Sequence, residues 1–70
     1  MKYVRVAGEY RFGEEHKELV NQGEKALSAG FIIITNRGFK VLTTPSMSLG
    51  IGPDALDSAR LELVLQLEEI

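Results

Sequence analysis

The stretch TTPSMSLGIGPDALDS, residues 43–58, contains the residue types that most often form a ligand loop. Gly50, Gly52 and Ala55 have the spacing of a dinucleotide-binding turn, in which glycines let the backbone approach a pyrophosphate. That motif requires a parallel βαβ unit, and too few residues follow Ala55 to build a helix and a returning strand. We therefore interpret the stretch as a turn. A small-ligand or regulatory site at residues 46–54 is the alternative function.

His16, next to Glu14 and Glu15, is the feature that most suggests acid–base chemistry, because an imidazole near carboxylates titrates close to neutral pH. His16 also falls on the apolar stripe of a predicted helix, which favours a packed histidine. The chain has one histidine and no cysteine, which excludes disulfides, Cys–His nucleophiles and the usual zinc ligand sets. We predict no catalytic residue, no metal and no cofactor, and hence a protein that is not an enzyme.

Composition indicates a globular chain: 70 residues are 44% hydrophobic and 26% charged, which predicts one domain over residues 1–70. Eight basic and ten acidic residues give a net charge of −2, which disfavours a nucleic-acid surface. The start of the chain does not resemble a signal peptide, and no apolar run has the length of a membrane span, so we expect a cytoplasmic protein.

A single-stranded nucleic-acid binder is the third functional hypothesis. It is based on a basic and aromatic strip of the outer sheet face formed by Arg5, Arg11, Arg37, Lys40 and Tyr3.

Three segments have clear periodicity. KYVRVAGEYRF alternates apolar and polar residues, which predicts one strand with a bulge or bend at Gly8. GEEHKELVNQGEKALSAG places its apolar residues on one stripe at helical spacing, which predicts an amphipathic helix that ends before Gly30. FIIITNRGFKVLTT predicts a β-hairpin with the three-residue loop Asn36-Arg37-Gly38, which places Ile33 opposite Val41.

The rest of the chain is harder to interpret. Alternation continues through Thr43 to Ile51, which predicts that the second hairpin strand runs on past a bend at Pro45. ARLELVLQLEEI aligns its odd-numbered leucines, residues 61 to 67, on one face as a strand, whereas its good helix formers, with Pro53 as the first helical residue, favour a helix. We prefer the strand. The predicted fold is α+β, with the order β-α-β-β-β, a mostly antiparallel sheet and one helix on one face; the alternative is β-α-β-β-α with a C-terminal helix.

One sheet face would remain apolar in this fold, because a single helix covers only the other. A short chain without crosslinks also has a thin stability margin. We therefore predict a non-catalytic protein interaction module that self-associates, most simply as a homodimer, through the face opposite the helix. The predicted interface residues are Tyr3, Ile32, Ile34, Leu42, Ser46, Ser48 and Val64.

Overall fold

The computed structural model of the protein describes residues 1–42 and 44–68, with side chains as far as residue 65. Thr43 of the predicted strand extension, the side chain of Leu67, and residues 69–70 of the C-terminal segment lie outside the described residues. The elements in chain order are β1 (Lys2–Val6), β2 (Glu9–Gly13), a 3₁₀ turn (His16–Leu19), β3 (Ser28–Thr35), β4 (Gly38–Leu42) and α1 (Asp57–Glu68).

The four strands form one antiparallel sheet with the spatial order β2-β1-β3-β4. The predicted α+β class, with an antiparallel sheet and one helix, is confirmed. The predicted order of elements is wrong, because the helix follows the strands instead of separating them.

The first predicted strand is a hairpin instead of one bent strand. The chain reverses at Ala7-Gly8, where Gly8 has a φ of +80° that favours glycine. Arg5 then pairs with Tyr10 across the hairpin. Because the turn has two residues, every pair joins an odd-numbered residue to an even-numbered one, and Tyr10 lies on the opposite face from Val4.

The predicted helix over residues 13–30 does not form, apart from the short 3₁₀ turn His16–Leu19. Asn21 and Glu24 instead form a turn, in which the Glu24 amide donates to the Asn21 carbonyl over 3.0 Å. Gly23 in that turn has a φ of +86°, which no helical residue adopts. Gly30, predicted to end the helix, lies inside β3. Asparagine and glycine are poor helix formers, and here they outweigh the apolar stripe.

The hairpin of β3 and β4 is confirmed, and its predicted loop length is wrong by one residue. Gly38 has a φ of +125° but pairs with Thr35, so the loop has two residues instead of three. Val41 consequently lies opposite Ile32, not Ile33. A shift of one residue moves a side chain to the other face of a sheet, so Val41 joins the face of Ile32.

The predicted continuation of β4 past Pro45 is also wrong. The chain folds back on itself after Pro45, and Ser46 and Ile51 pair in an isolated antiparallel bridge. The Gly52 carbonyl then accepts a hydrogen bond of 3.2 Å from the Ala29 amide of β3. Proline has no amide hydrogen for a sheet ladder, which disfavours a continuous strand through residue 45.

The C-terminal segment is the helix α1, so the preferred strand is wrong and the alternative helix is correct. A capping box begins it: the Asp54 carboxylate accepts from the Leu56 amide and the Asp57 carboxylate accepts from the Asp54 amide, each over 2.9 Å. Leu61 is fully buried and Leu63 is 65% exposed. The leucine alternation therefore does not mark one buried face.

Each face of the sheet carries its own apolar cluster. On the face under α1, termed the helix face, the buried side chains of Tyr3, Ile32 and Leu61 are surrounded by Tyr10, Phe12, Phe39 and Val41. On the other face, termed the loop face, Val4, Val6 and Ala29 are covered by Leu19, Val20, Ala26, Leu49 and Ile51 from the irregular segments. The face of Tyr3 and Ile32, which was predicted to lie opposite the helix and to need a partner, is therefore the face that α1 covers.

Candidate functional site

Three of the predicted interface residues are buried within the chain. Tyr3 and Ile32 are 0% and 1% exposed, on the helix face near Leu61. Ser46 is 1% exposed in the bridge that follows β4. These three side chains have no surface to offer a partner.

The other predicted interface residues retain exposed surface but lie apart. Ile34 is 69% exposed, near the β3–β4 turn on the helix face. Leu42 and Val64 are half-buried, Leu42 at the end of β4 and Val64 on α1. Ser48 is exposed in the loop after Pro45. The contribution of these four residues to an interface stays a prediction.

The glycine-rich stretch forms a closed turn. The Gly50 amide donates to the Ser46 carbonyl over 3.0 Å, and the Leu49 amide donates to the Ser46 hydroxyl over 3.3 Å. A phosphate cradle needs free backbone amides that point at the ligand. The amides of Ser46, Leu49 and Gly50 are used internally instead, which agrees with the interpretation of the stretch as a turn.

His16 is a packed residue, 3% exposed. Its Nε2 lies 2.8 Å from the Gly30 carbonyl, and its ring meets Phe31 edge-on with centroids 5.1 Å apart. Neither Glu14 nor Glu15 hydrogen-bonds to the imidazole among the described residues. The ring therefore anchors the 3₁₀ turn to β3, as the packed interpretation predicts.

The predicted basic strip is not assembled on one face. The strand pairing places Arg5 with Tyr3 on the helix face, whereas Arg11 and Lys40 lie on the loop face. Arg37 lies in the β3–β4 turn.

Arg11 is occupied by contacts within the chain. Its guanidinium donates to the Leu19 carbonyl over 2.9 Å and to both carboxylate oxygens of Glu24. The hydrogen bond from Arg11 lowers the pKa of Glu24 to about 2. Arg11 therefore fastens the loop-face segment to the sheet.

A buried carboxylate with two phenols is the most connected polar cluster in the described chain. Asp57 is 0% exposed and lies between α1 and the helix face. Its Oδ1 accepts from the Tyr10 hydroxyl over 2.7 Å, and its Oδ2 accepts from the Tyr3 hydroxyl and the Asp54 amide, each over 2.9 Å. A buried carboxylate costs free energy unless it is hydrogen-bonded, and three donors meet that requirement here.

The protonation states in this cluster follow from burial and hydrogen bonding. Burial opposes ionisation of Asp57, but hydrogen bonds from Tyr10, the Asp54 amide and Tyr3 hold its pKa below the ordinary value. Burial, and then the hydrogen bond to Asp57, raises the pKa of Tyr10 to about 12 and also raises the pKa of Tyr3. At neutral pH the cluster holds an aspartate and two neutral phenols that donate to it.

This arrangement anchors the helix. A general base needs a lone pair that can reach a substrate, whereas Asp57 is enclosed and hydrogen-bonded on both oxygens. The raised pKa values of the phenols keep them protonated. Asp57 fixes the start of α1 on β1 and β2.

A small cavity of about 280 Å³ opens beside this anchor, lined by Arg5, Gly8, Glu9, Tyr10, Arg60 and Val64. Arg60 Nη1 lies 3.9 Å from the Asp54 carboxylate, which is an ion-pair distance but too long for a hydrogen bond. Arg5 forms no ion pair with any carboxylate that the structure describes. The cavity therefore has two cationic side chains in its wall.

Sequence reasoning missed Asp57. Its signal was present: Asp54 and Asp57 have the spacing of a capping box before an apolar run. The two tyrosines carried no such signal, because they meet Asp57 only through the tertiary fold.

Family models, curated proteins and solved structures were compared with this chain, and none of them matches it. None of the helical segments in residues 1–42 and 44–68 has the length and apolar content needed to cross a membrane. In the same residues, no three His, Cys, Asp or Glu side chains come together to hold a metal ion.

Proposed function

We propose that this protein is a small non-catalytic interaction module that self-associates through the free end of the helix face. The observation that carries the proposal is the 69% exposure of Ile34 on a strand whose neighbouring apolar side chain, Ile32, is fully buried. An isoleucine this exposed at the end of an apolar sheet face favours burial against another surface.

The direction of α1 leaves that end of the sheet uncovered. The helix begins at Asp57, anchored near the middle of the sheet, and continues past Arg60 and Val64 toward Gly8. Strand pairing puts the β3–β4 turn at the opposite end of the sheet from Gly8. The helix thus leads away from Ile34.

Ile34 has an apolar neighbour on the same face. It pairs with Phe39 of β4, which is itself only half-buried. No described strand pairs with the outer edge of β4. We term Ile34, Phe39 and this edge the hairpin surface.

The two sheet edges differ in charge. β4 reads GFKVL and has one charged residue, Lys40, whereas the other edge strand, β2, carries Glu9 and Arg11. Edge charges discourage pairing with another strand, so β4 is the edge better suited to it. Two copies related by a two-fold axis can pair β4 with β4 in antiparallel register, which extends the sheet and covers Phe39.

The size of the core supports a partner of this kind. The buried apolar residues of the described chain are Tyr3, Val4, Val6, Ala29, Ile32 and Leu61. A core this small gives a thin stability margin, which association with a second copy increases.

Sedimentation velocity on the Ile34→Glu variant tests the proposal. We expect the wild type to be dimeric at about 100 μM, a concentration well above the Kd of a standard-sized interface. Ile34→Glu should be a monomer, because a carboxylate placed in an apolar contact costs several kcal/mol.

Ile33→Glu is the matched control, since Ile33 is the adjacent residue, is 47% exposed and lies on the loop face. It should remain dimeric. Ile32 is unsuitable for this test, because a charge at a buried position unfolds the chain. A monomeric wild type at that concentration overturns the proposal, and so does a dimer that survives Ile34→Glu.

A further inference from the structure

We propose that the cavity between Arg5 and Arg60 binds a small organic carboxylate. Neither the anchoring role of Asp57 nor the hairpin surface uses this cavity. It lies at the Gly8 end of the helix face, away from Ile34.

Guanidinium nitrogens that make no hydrogen bond are the first observation. Arg5 Nε and Arg60 Nη1 are both buried and have no hydrogen-bond partner among the described residues. A buried donor without an acceptor costs about 1 to 3 kcal/mol, and more when it is charged. Both side chains line one cavity, so one ligand can supply acceptors to both after small rotations of the guanidinium groups.

The shape of the donors indicates the class of acceptor. A guanidinium is planar and presents its N–H groups as a fork that matches the two oxygens of a carboxylate. One arginine comes from β1 and the other from α1, so one carboxylate can bridge the strand and the helix.

The carboxylates near the cavity disfavour a phosphate dianion more strongly than a monoanion. Asp54 lies 3.9 Å from Arg60, and Asp57 lies next to the cavity through its hydrogen bond from Tyr10. Glu9 also lines the cavity, 3.3 Å from Arg11. These carboxylates would repel a dianion more strongly than a monoanion. A single carboxylate carries one negative charge and still offers an oxygen to the guanidinium group of each arginine.

The rest of the wall suits an organic group. Val64 and the ring of Tyr10 are apolar, and Gly8 has no side chain to fill the space. A volume of about 280 Å³ accommodates a short aliphatic or single-ring ligand.

NMR titration of the full chain with propionate and benzoate at constant ionic strength tests this assignment. We expect saturable shifts of the Gly8 amide and of the arginine Nε signals. Arg60→Gln and Arg5→Gln should each weaken binding at least about tenfold, because each removes one fork. Arg60→Lys keeps the charge and should still lose most of the affinity.

Arg37→Gln is the matched control, because it removes the same charge from the exposed β3–β4 turn. It should bind as the wild type does. Arg60 is 38% exposed, so Arg60→Gln is expected to fold and suffices if Arg5→Gln does not.

Three outcomes overturn the assignment. They are the absence of saturable shifts at about 50 mM carboxylate, equal losses in Arg37→Gln and Arg60→Gln, and tighter binding of inorganic phosphate than of propionate. The Ile34→Glu variant should retain binding, so a failure of self-association leaves this test intact.

Discussion

The two faces of the sheet are covered in different ways. The helix face lies under a regular helix, held by one carboxylate that accepts three hydrogen bonds. The loop face lies under irregular segments, held by His16 on the Gly30 carbonyl and by Arg11 on Leu19 and Glu24. A buried polar residue thus fastens the covering segment to each face of the sheet. Asp57 accepts three hydrogen bonds on the helix face, whereas His16 makes one on the loop face.

This difference explains why the helix face is covered by a regular helix and the loop face by irregular segments. The capping box begins α1 locally, and the phenols then attach its first turn to the sheet. The segment between β2 and β3 has Asn21 and Gly23 where a helix would need good helix formers. Its apolar side chains still reach the sheet, because His16 and Arg11 hold the backbone in place.

Asp57→Ala should have the largest effect. The substitution leaves the Tyr3 and Tyr10 hydroxyls without their acceptor and removes the helix cap, so we expect a loss of about 2 to 4 kcal/mol in the free energy of unfolding. A chain of this length has a total of roughly 4 to 10 kcal/mol. Urea denaturation followed by circular dichroism measures the change.

His16→Leu is the counterpart on the loop face. It keeps an apolar side chain against Phe31 and leaves only the Gly30 carbonyl without its partner, so we expect a loss of about 1 to 2 kcal/mol. If His16→Leu costs as much as Asp57→Ala, the two anchors are equivalent and the contrast between the faces is wrong.

Gly30→Ala should have the second largest effect. A Cβ at Gly30 would lie 2.8 Å from Cε2 and 2.9 Å from the hydroxyl oxygen of Tyr3. Tyr3 is fully buried and hydrogen-bonded to Asp57, so it cannot move aside. We expect a loss of about 1 to 3 kcal/mol, measured by the same urea denaturation.

Gly13→Ala makes the matched change on the loop face. Its Cβ would lie 2.9 Å from Cδ2 of Leu19, a half-buried side chain of the 3₁₀ turn that is able to rotate. We expect a cost below about 1 kcal/mol. A cost at Gly13 equal to that at Gly30 would show that the loop face is as rigid as the helix face.

The sequence predicted the fold class more reliably than the face of the sheet on which each side chain lies. The β3–β4 hairpin was recognisable from its two apolar runs and its Asn-Arg-Gly turn. Gly38 could end the loop or begin the strand, and that single residue decides whether Val41 joins Ile32 or Ile33. Gly8 posed the same problem, because a bulge and a two-residue turn require the same glycine.

The candidate site was predictable only in part. The Asp54 and Asp57 pair is local and could have identified the start of α1, but the alternating leucines that follow it favour a strand. The tyrosines are separated from Asp57 by 54 and 47 residues in sequence, so only the fold brings them together. The cavity between Arg5 and Arg60 depends on the placement of α1, which the preferred strand did not provide.

Among the changes on the helix face, Tyr10→Phe should have the smallest effect at neutral pH, and its pH dependence distinguishes the two faces. The pKa of Tyr10 is about 12 in the folded chain, raised above the ordinary value near 10 by burial and by the hydrogen bond to Asp57. Its contribution to stability is therefore complete below pH about 10 and is lost as the pH rises through about 12.

At neutral pH we expect the variant to lose about 1 kcal/mol, because one hydrogen bond to a charged acceptor is removed and Tyr3 and the Asp54 amide still donate to Asp57. Between pH 10 and 12 the difference between wild type and variant should shrink, because only the wild type titrates this phenol. Urea denaturation at several pH values, together with phenolate absorbance, measures both quantities. A difference that stays constant up to pH about 12 would show that the Tyr10 hydroxyl is not held by the buried carboxylate, and the helix face would then lack the anchor that sets it apart from the loop face.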